Sequence, residues 1–113
     1  MSASEERVAR NEALFREFNE RVEDVAATFD PQGEGDALRI DFVCECGDLD
    51  CLERLELTRA AYEEVRSDPR RFVVAPGHDN PDVERVVSRG DGYLVVEKVD
   101  EAAEVATEHD PRS

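Results

Sequence analysis

Every cysteine of the chain falls in one short stretch, Val43-Cys44-Glu45-Cys46-Gly47-Asp48-Leu49-Asp50-Cys51. Three thiolates so close together are better suited to holding a metal than to any other chemistry. Zinc takes about four ligands in a tetrahedron, with Zn–S near roughly 2.3 Å. Cys44 and Cys46 are two apart, so an extended segment puts both on one face. Gly47 follows, and glycine reaches positive φ without a Cβ penalty. The chain can therefore curl back and bring Cys51 to the same centre. The spacing C-x-C-G-x3-C is tighter than the common C-x2-4-C pair. The bland alternatives are three buried thiols, or one disulfide with a spare cysteine.

His78 is the best candidate for the fourth ligand. It follows Pro76-Gly77 in a loop that can aim it, and an imidazole completes a Cys3His site. Asp48, Asp50 or a water are the substitutes, and His109 in the tail is a poorer candidate. The zinc deaminase pattern, a Walker loop and a Rossmann glycine fingerprint are all absent from the sequence. The Cys-Asp-Gly-Ser-x-His segment of CDGSH iron–sulfur proteins is absent too. A Cys–His nucleophilic pair is conceivable, but three clustered thiols fit it worse than they fit a metal.

Strands must carry these residues. Leu38-Arg39-Ile40-Asp41-Phe42-Val43 alternates, which predicts a strand leading into the cysteines. Glu53 to Leu57 alternates again and should return antiparallel, with the knuckle at the hairpin tip. Thr58 is a natural N-cap for a short helix over 59–67 that buries Ala61, Tyr62 and Val65. A third strand over 71–75 leads to Pro76-Gly77-His78. If the short helix makes a true crossover, this strand runs parallel to the second and leaves His78 at the far end of the sheet. If the helix crosses obliquely, the strand returns and brings His78 to the cysteines.

The remaining elements frame this unit. Residues 2–29 read as one long helix, opened by a Ser2/Glu5 capping box and stopped by Asp30-Pro31. Val8, Phe15, Phe18, Val22, Val25 and Phe29 form an a/d seam, broken at Asn11, that should dock on the chain's own sheet or else pair two chains. Glu6–Arg10, Glu12–Arg16 and Glu17–Arg21 stand in the favourable i,i+4 order. A glycine-rich connector covers 31–37. Asn80-Pro81 can start one helical turn. Residues 84–89 and 93–99 flank Gly90-Asp91-Gly92, a clear hairpin signal, although Val83, Val86 and Val87 also fit a helical face. Asp100 should cap a last helix to Glu108, and residues 109–113 read as a loose tail.

The stretch Phe42 to Cys51 together with Pro76-Gly77-His78 resembles a group of short, uncharacterised actinobacterial proteins carrying F-V-C-E-C-G-D-x-x-C and then P-G-H. The likeness runs from Arg10 to Lys98. It supports the cysteine and histidine reading and implies no particular activity.

At 113 residues the chain is one domain, 38% of it charged, with a formal charge of -15. Binding to a phosphate backbone needs Lys and Arg to replace counterions, so direct nucleic-acid binding is excluded as a main role. A basic protein partner, a divalent cation, or no partner at all fits better, the acid then being simply a soluble surface. Lys98 is the only lysine. Arg70-Arg71 is a small basic spot expected to be exposed. The start has no cationic and apolar leader, and no run approaches the roughly 20 apolar residues of a membrane span. The expected location is the cytoplasm, where thiols stay reduced and clustered cysteines favour metal over disulfide. The expected architecture is α+β: a mainly antiparallel sheet, a long N-terminal helix, a short second helix and one Cys3His-type metal knuckle, with a core over 38–108. The expected role is a non-enzymatic interaction or regulatory module with one zinc per chain, monomeric, or dimeric through the N-terminal helix. A thiol-based redox or metal sensor is the alternative, and a metal-dependent enzyme comes third.

Overall fold

The alternating segments form antiparallel strands, and the long periodic segment forms one helix. The computed structural model describes residues 3–29 and 39–112. Its elements are α1 (Ala3–Phe29), β1 (Arg39–Val43), β2 (Arg54–Thr58), α2 (Arg59–Arg66), β3 (Arg71–Val74), β4 (Glu84–Gly90), β5 (Tyr93–Lys98) and α3 (Asp100–Glu108). The capping role of Ser2, the Asp30-Pro31 stop, the connector and Leu38 lie outside the described residues.

The α+β expectation holds, with the strands divided into two antiparallel sheets, β1-β2 and β3-β5-β4. In the first, Phe42 stands opposite Leu55 and Ile40 opposite Leu57. Period-two alternation sends these four inward, while Asp41 and Glu56 face solvent. In the second sheet β5 is central, and its buried Leu94, Val95 and Val96 are covered on both edges. Asp91-Gly92 closes the β4–β5 hairpin, and Gly92 takes φ +84°, which the tight turn demands. The register breaks between Val86 and Ser88. That bulge explains why adjacent valines there mimic a helical pattern. Asn80 O accepts the amides of Val83 and Glu84, making the single turn expected at Pro81.

Thr58 caps α2 by accepting the Ala61 amide at 3.1 Å. Tyr62 and Val65 are buried beneath it, and Tyr62 stacks on Phe42 with ring centroids 4.3 Å apart. The main core joins both sheets and all three helices through Phe42, Leu55, Leu57, Tyr62, Phe72 and Ala106, with Val22 packed against it.

Three expectations are corrected. α1 lies on its own chain, but its apolar seam does not make the buried stripe, and of that seam Val22 packs against the core. Glu12, Arg16, Asn19 and Glu23 form the buried stripe, with Arg16 at 0% exposure, while Val8, Phe18 and Val25 are exposed and Phe18 reaches 53%. Hydrophobic periodicity assumes that polar side chains want water. Here each finds partners inside instead. Arg16 lies over the Phe72 ring at 4.4 Å and donates to the carbonyls of Pro69 and Ala106 at 2.6 and 2.8 Å. Glu12 pairs with Lys98, so the Glu12–Arg16 pair does not form, whereas Glu17–Arg21 does at 3.2 Å.

Second, the tail is clamped. Asp110 is buried against Arg66, and Arg112 reaches Glu20 at 2.7 Å and Glu63 at 2.8 Å. A terminal segment orders when its charges meet opposite charges on the body. Third, Asp100 is the first residue of α3, and Val99 occupies the cap without a side-chain bond. The chain passes directly from β5 into the helix, and Val99 O accepts the Ala103 amide at 3.2 Å. Arg70 and Arg71 share the buried Glu97, which also takes Arg85, and Arg70 pairs with Asp68 as well, so the basic spot is held in ion pairs.

Candidate metal centre

The knuckle forms where the β1–β2 ladder ends. The Cys44 amide still bonds Glu53 O at 3.3 Å. Beyond it Gly47 takes φ +82° and reverses the chain. A Cβ at Gly47 would stand 2.8 Å from Val8 O and 2.8 Å from Glu12 Cγ, so α1 also requires glycine there. Asp48 then makes a tight turn. Its carboxylate accepts the Asp50 amide at 2.9 Å and its carbonyl accepts the Cys51 amide at 3.1 Å. That turn returns Cys51 to the other two thiols.

β3 carries the fourth residue to the same end of the molecule. β2 and β3 belong to different sheets, so α2 makes no crossover within one sheet, and β3 reaches the knuckle, where Val73 O accepts the Glu45 amide at 2.9 Å. After Ala75 the chain turns, with the His78 amide on Ala75 O at 2.9 Å and Gly77 at φ +86°. His78 Nδ1 then lies 3.7 Å from Cys44 Sγ and 3.5 Å from Cys51 Sγ.

Donor atoms of Cys44, Cys46, Cys51 and His78 all lie within 4.8 Å of one another, and the group could hold a metal ion. The spacing is informative. With Zn–S near 2.3 Å and Zn–N near 2.05 Å, a tetrahedron has N···S edges of about 3.5 Å and S···S edges of about 3.8 Å. Asp48 and Asp50 are exposed turn residues outside the group, and His109 is exposed at the end of α3.

Burial disfavours free thiolates here. Burial pushes the Cys44 thiol up strongly, and the nearby Cys46 and Cys51 push it further, while the Ala75 amide, 3.2 Å from the sulfur, opposes them. Burial raises Cys46 as well, against an amide bond from Asp48. Clustered thiols resist ionising together, and a divalent ion reverses that by supplying positive charge where the thiolates meet. The Ala75 amide is already directed at one sulfur, a supporting bond of the kind that orients metal ligands.

Sequence reasoning missed what holds this centre against the body. Glu45, between the first two cysteines, is fully buried. Its carboxylate accepts Asn19 Nδ2 at 2.8 Å, the Tyr62 hydroxyl at 2.9 Å and the Val73 amide at 3.0 Å. It thus ties the knuckle to α1, α2 and β3 at once. Burial raises its pKa, against those three bonds and the field of Arg66. Asn19 also brackets Val43, donating to its carbonyl and accepting its amide, both at 2.9 Å. Asn11, the break in the apolar seam, donates to Gly47 O at 3.0 Å. The available signal was that break, together with polar residues recurring at helical spacing at 12, 16, 19 and 23.

Fold and site together define an α+β protein with a Cys3His cluster at a hairpin tip. No protein-family model, curated protein or solved structure matches the chain. No helix among the described residues is long and apolar enough to cross a membrane.

Proposed function

We propose that Cys44, Cys46, Cys51 and His78 bind one zinc ion per chain as a closed structural site, and that the protein is a non-enzymatic interaction or regulatory module of the cytoplasm. The observation that carries this reading is the convergence of four donor atoms within 4.8 Å of one another, with two N···S distances, 3.5 and 3.7 Å, of the size a zinc tetrahedron has. Four protein donors leave no open position for a substrate, which favours a structural over a catalytic ion. The energetics agree. A domain of this size keeps about 5–15 kcal/mol of net stability, and a structural zinc site contributes on the order of 10 kcal/mol. The ion therefore decides whether the hairpin tip folds.

Purification without added zinc, followed by elemental analysis, tests this. One zinc per chain is expected, with melting lowered sharply by a strong chelator and by Cys44→Ser, Cys46→Ser, Cys51→Ser or His78→Ala. Visible colour would mean iron. A metal-free protein whose melting is unchanged after replacement of all three cysteines would end the reading.

A redox-sensing role has one observation in its favour. Cys44 is buried, but Cys46 and Cys51 are half-buried, so a peroxide reaching the centre meets those two first. Two thiolates would then lose two electrons to the peroxide, forming a disulfide and water and leaving the ion two ligands. Zinc release on stoichiometric peroxide, reversed by a dithiol, distinguishes this role from a purely structural one.

A further inference from the structure

The inverted docking of α1 has a consequence at the knuckle. The polar stripe faces the body, so Leu14, Phe18 and Val25 are left outside, while Val22 packs against the core. Leu14 is 58% exposed and Phe18 53%. Across from them the knuckle turn holds Leu49 at 68% and Leu52 at 83%, the most exposed large apolar side chain among the described residues. Between helix and knuckle lies a groove of about 480 Å³, walled by Leu14, Phe15, Phe18, Val43, Leu49 and Leu52, with the sulfur-bearing Cys44 and Cys51 at its side. Along α1 the groove runs from Leu14 to Arg21, about 10 Å of helix.

We propose that this groove is a docking site for the apolar face of a basic amphipathic helix from a partner protein. Contiguous apolar surface rimmed by charge marks an interaction site, and an apolar groove of this length fits a helix presenting residues at i, i+3 or i+4, and i+7. Charge selects the occupant. Glu17 and Arg21 on the helix wall neutralise each other at 3.2 Å. Arg54 lines the knuckle wall, and the exposed Asp48, Asp50 and Glu53 flank Leu49 and Leu52 in the same turn. Three thiolates around a divalent ion leave one further negative charge there. A second copy would set this acidic rim against itself and bring one formal charge of -15 against another. A helix with Lys or Arg flanking its apolar stripe meets complementary charge instead. The proposal rests on the structural-zinc reading, because the ion holds Leu49 and Leu52 in place.

The test uses the full zinc-loaded chain and a fluorescent synthetic helix of about four turns, built from leucine and lysine with one apolar stripe. Two control peptides are used: a scramble of the same composition without the stripe, and a version with glutamate for lysine. Anisotropy at physiological salt should show the basic amphipathic peptide binding at least about tenfold tighter than either control. Phe18→Glu and Leu52→Glu should each weaken it by about tenfold or more, with zinc content and melting temperature unchanged because both side chains are exposed. Equal binding of the scramble would reduce the effect to general charge attraction and overturn the proposal. So would absence of binding, or indifference to both substitutions. Sedimentation of the free protein covers the remaining occupant: a dimer that Phe18→Glu dissociates would assign the groove to a second copy and overturn the proposal. Elemental analysis of the same sample separates the two readings. A zinc-loaded protein that ignores the peptide refutes the docking site alone, and a zinc-free protein refutes the metal reading.

Discussion

Glu45 is the residue on which the knuckle's position turns. It sits between two cysteines, which invites reading it as a spacer, yet it accepts three hydrogen bonds from three different elements. Glu45→Ala strands the Tyr62 hydroxyl, the Val73 amide and part of Asn19 in the interior, and each buried unpaired group costs about 1–3 kcal/mol. Chemical denaturation should therefore show a loss of about 3 kcal/mol or more, with weaker zinc retention against a chelator. Glu45→Gln should cost less but not nothing, because one amide N–H₂ then faces a donor. Glu12 makes a different prediction. Burial raises its pKa from 4.5 to about 7, with Lys98 opposing and Glu84 and Glu45 adding to the rise. The folded state thus binds the proton more tightly than the unfolded state. The associated stability is fully present below about pH 4.5 and is lost as pH rises through about 7. Acid release of a metal held by the cluster would act in the opposite direction in any variant, so the comparison with Glu12→Gln isolates the carboxyl. Relative to that variant, the native protein should gain stability as pH falls from 7.5 to 5.

At the scale of the element, α1 and the β1–β2 tip behave as one unit. Asn11 and Asn19 bond the knuckle backbone, and Gly47 packs against Val8 and Glu12. An expectation drawn from the apolar seam alone would leave α1 indifferent to the metal. The polar contacts reverse it: removing the ion should loosen α1 as well as the hairpin, and a chelator should lower the helical far-UV signal along with the melting temperature. Gly47→Ala tests the same coupling without touching a ligand. The new methyl group enters a φ of +82° and meets the Val8 carbonyl at 2.8 Å. The backbone term alone costs about 1–2 kcal/mol, and the clash adds to it. Calorimetry should show a lower melting temperature, and hydrogen exchange should show faster opening of both α1 and the knuckle.

Across the whole molecule, the chain's excess of acid is partly organised inward. Lys98 lies between Glu12 and Glu84, Arg66 between Glu20 and Asp110, and Arg112 among Glu20, Glu23 and Glu63. The Arg112 cluster carries more carboxylate than cation. Burial and the neighbouring Glu63 raise Glu23 to about 8, while Arg112 holds Glu63 down despite partial burial. Arg112→Ala, or removal of residues 110–113, should destabilise the fold and release the C-terminal end of α3 from α1 and α2. The point substitution should cost about 1 kcal/mol, because Arg112 is partly solvated. The loss should shrink at high salt, where repulsion among the remaining carboxylates is screened. Thermal melts at low and high ionic strength check both the sign and the salt dependence.

Local chemistry alone determined much of this protein. The alternation in 39–43 and 54–58 specifies two strands because side chains on a pleated strand point to opposite faces. Thr58 specifies a helix start because its hydroxyl reaches the Ala61 amide, and Asp91-Gly92 specifies a turn because glycine reaches positive φ. The three thiols and Gly47 were legible as a metal knuckle for the same reason: the whole device spans a few residues. The tertiary structure decided what depended on distance along the chain. His78 joins thiols 27 and 34 positions away only because β3 returns towards the knuckle, which no local signal encodes. The buried face of α1 was decided by partners still more remote. The two terminal nitrogens of Arg16 find carbonyls 53 and 90 positions on, although its Nε stays unbonded, and Glu12 finds a lysine 86 positions on. Periodicity counts apolar residues and cannot see such partners. In this chain they put the charged stripe inside and left Val8, Phe18 and Val25 facing solvent.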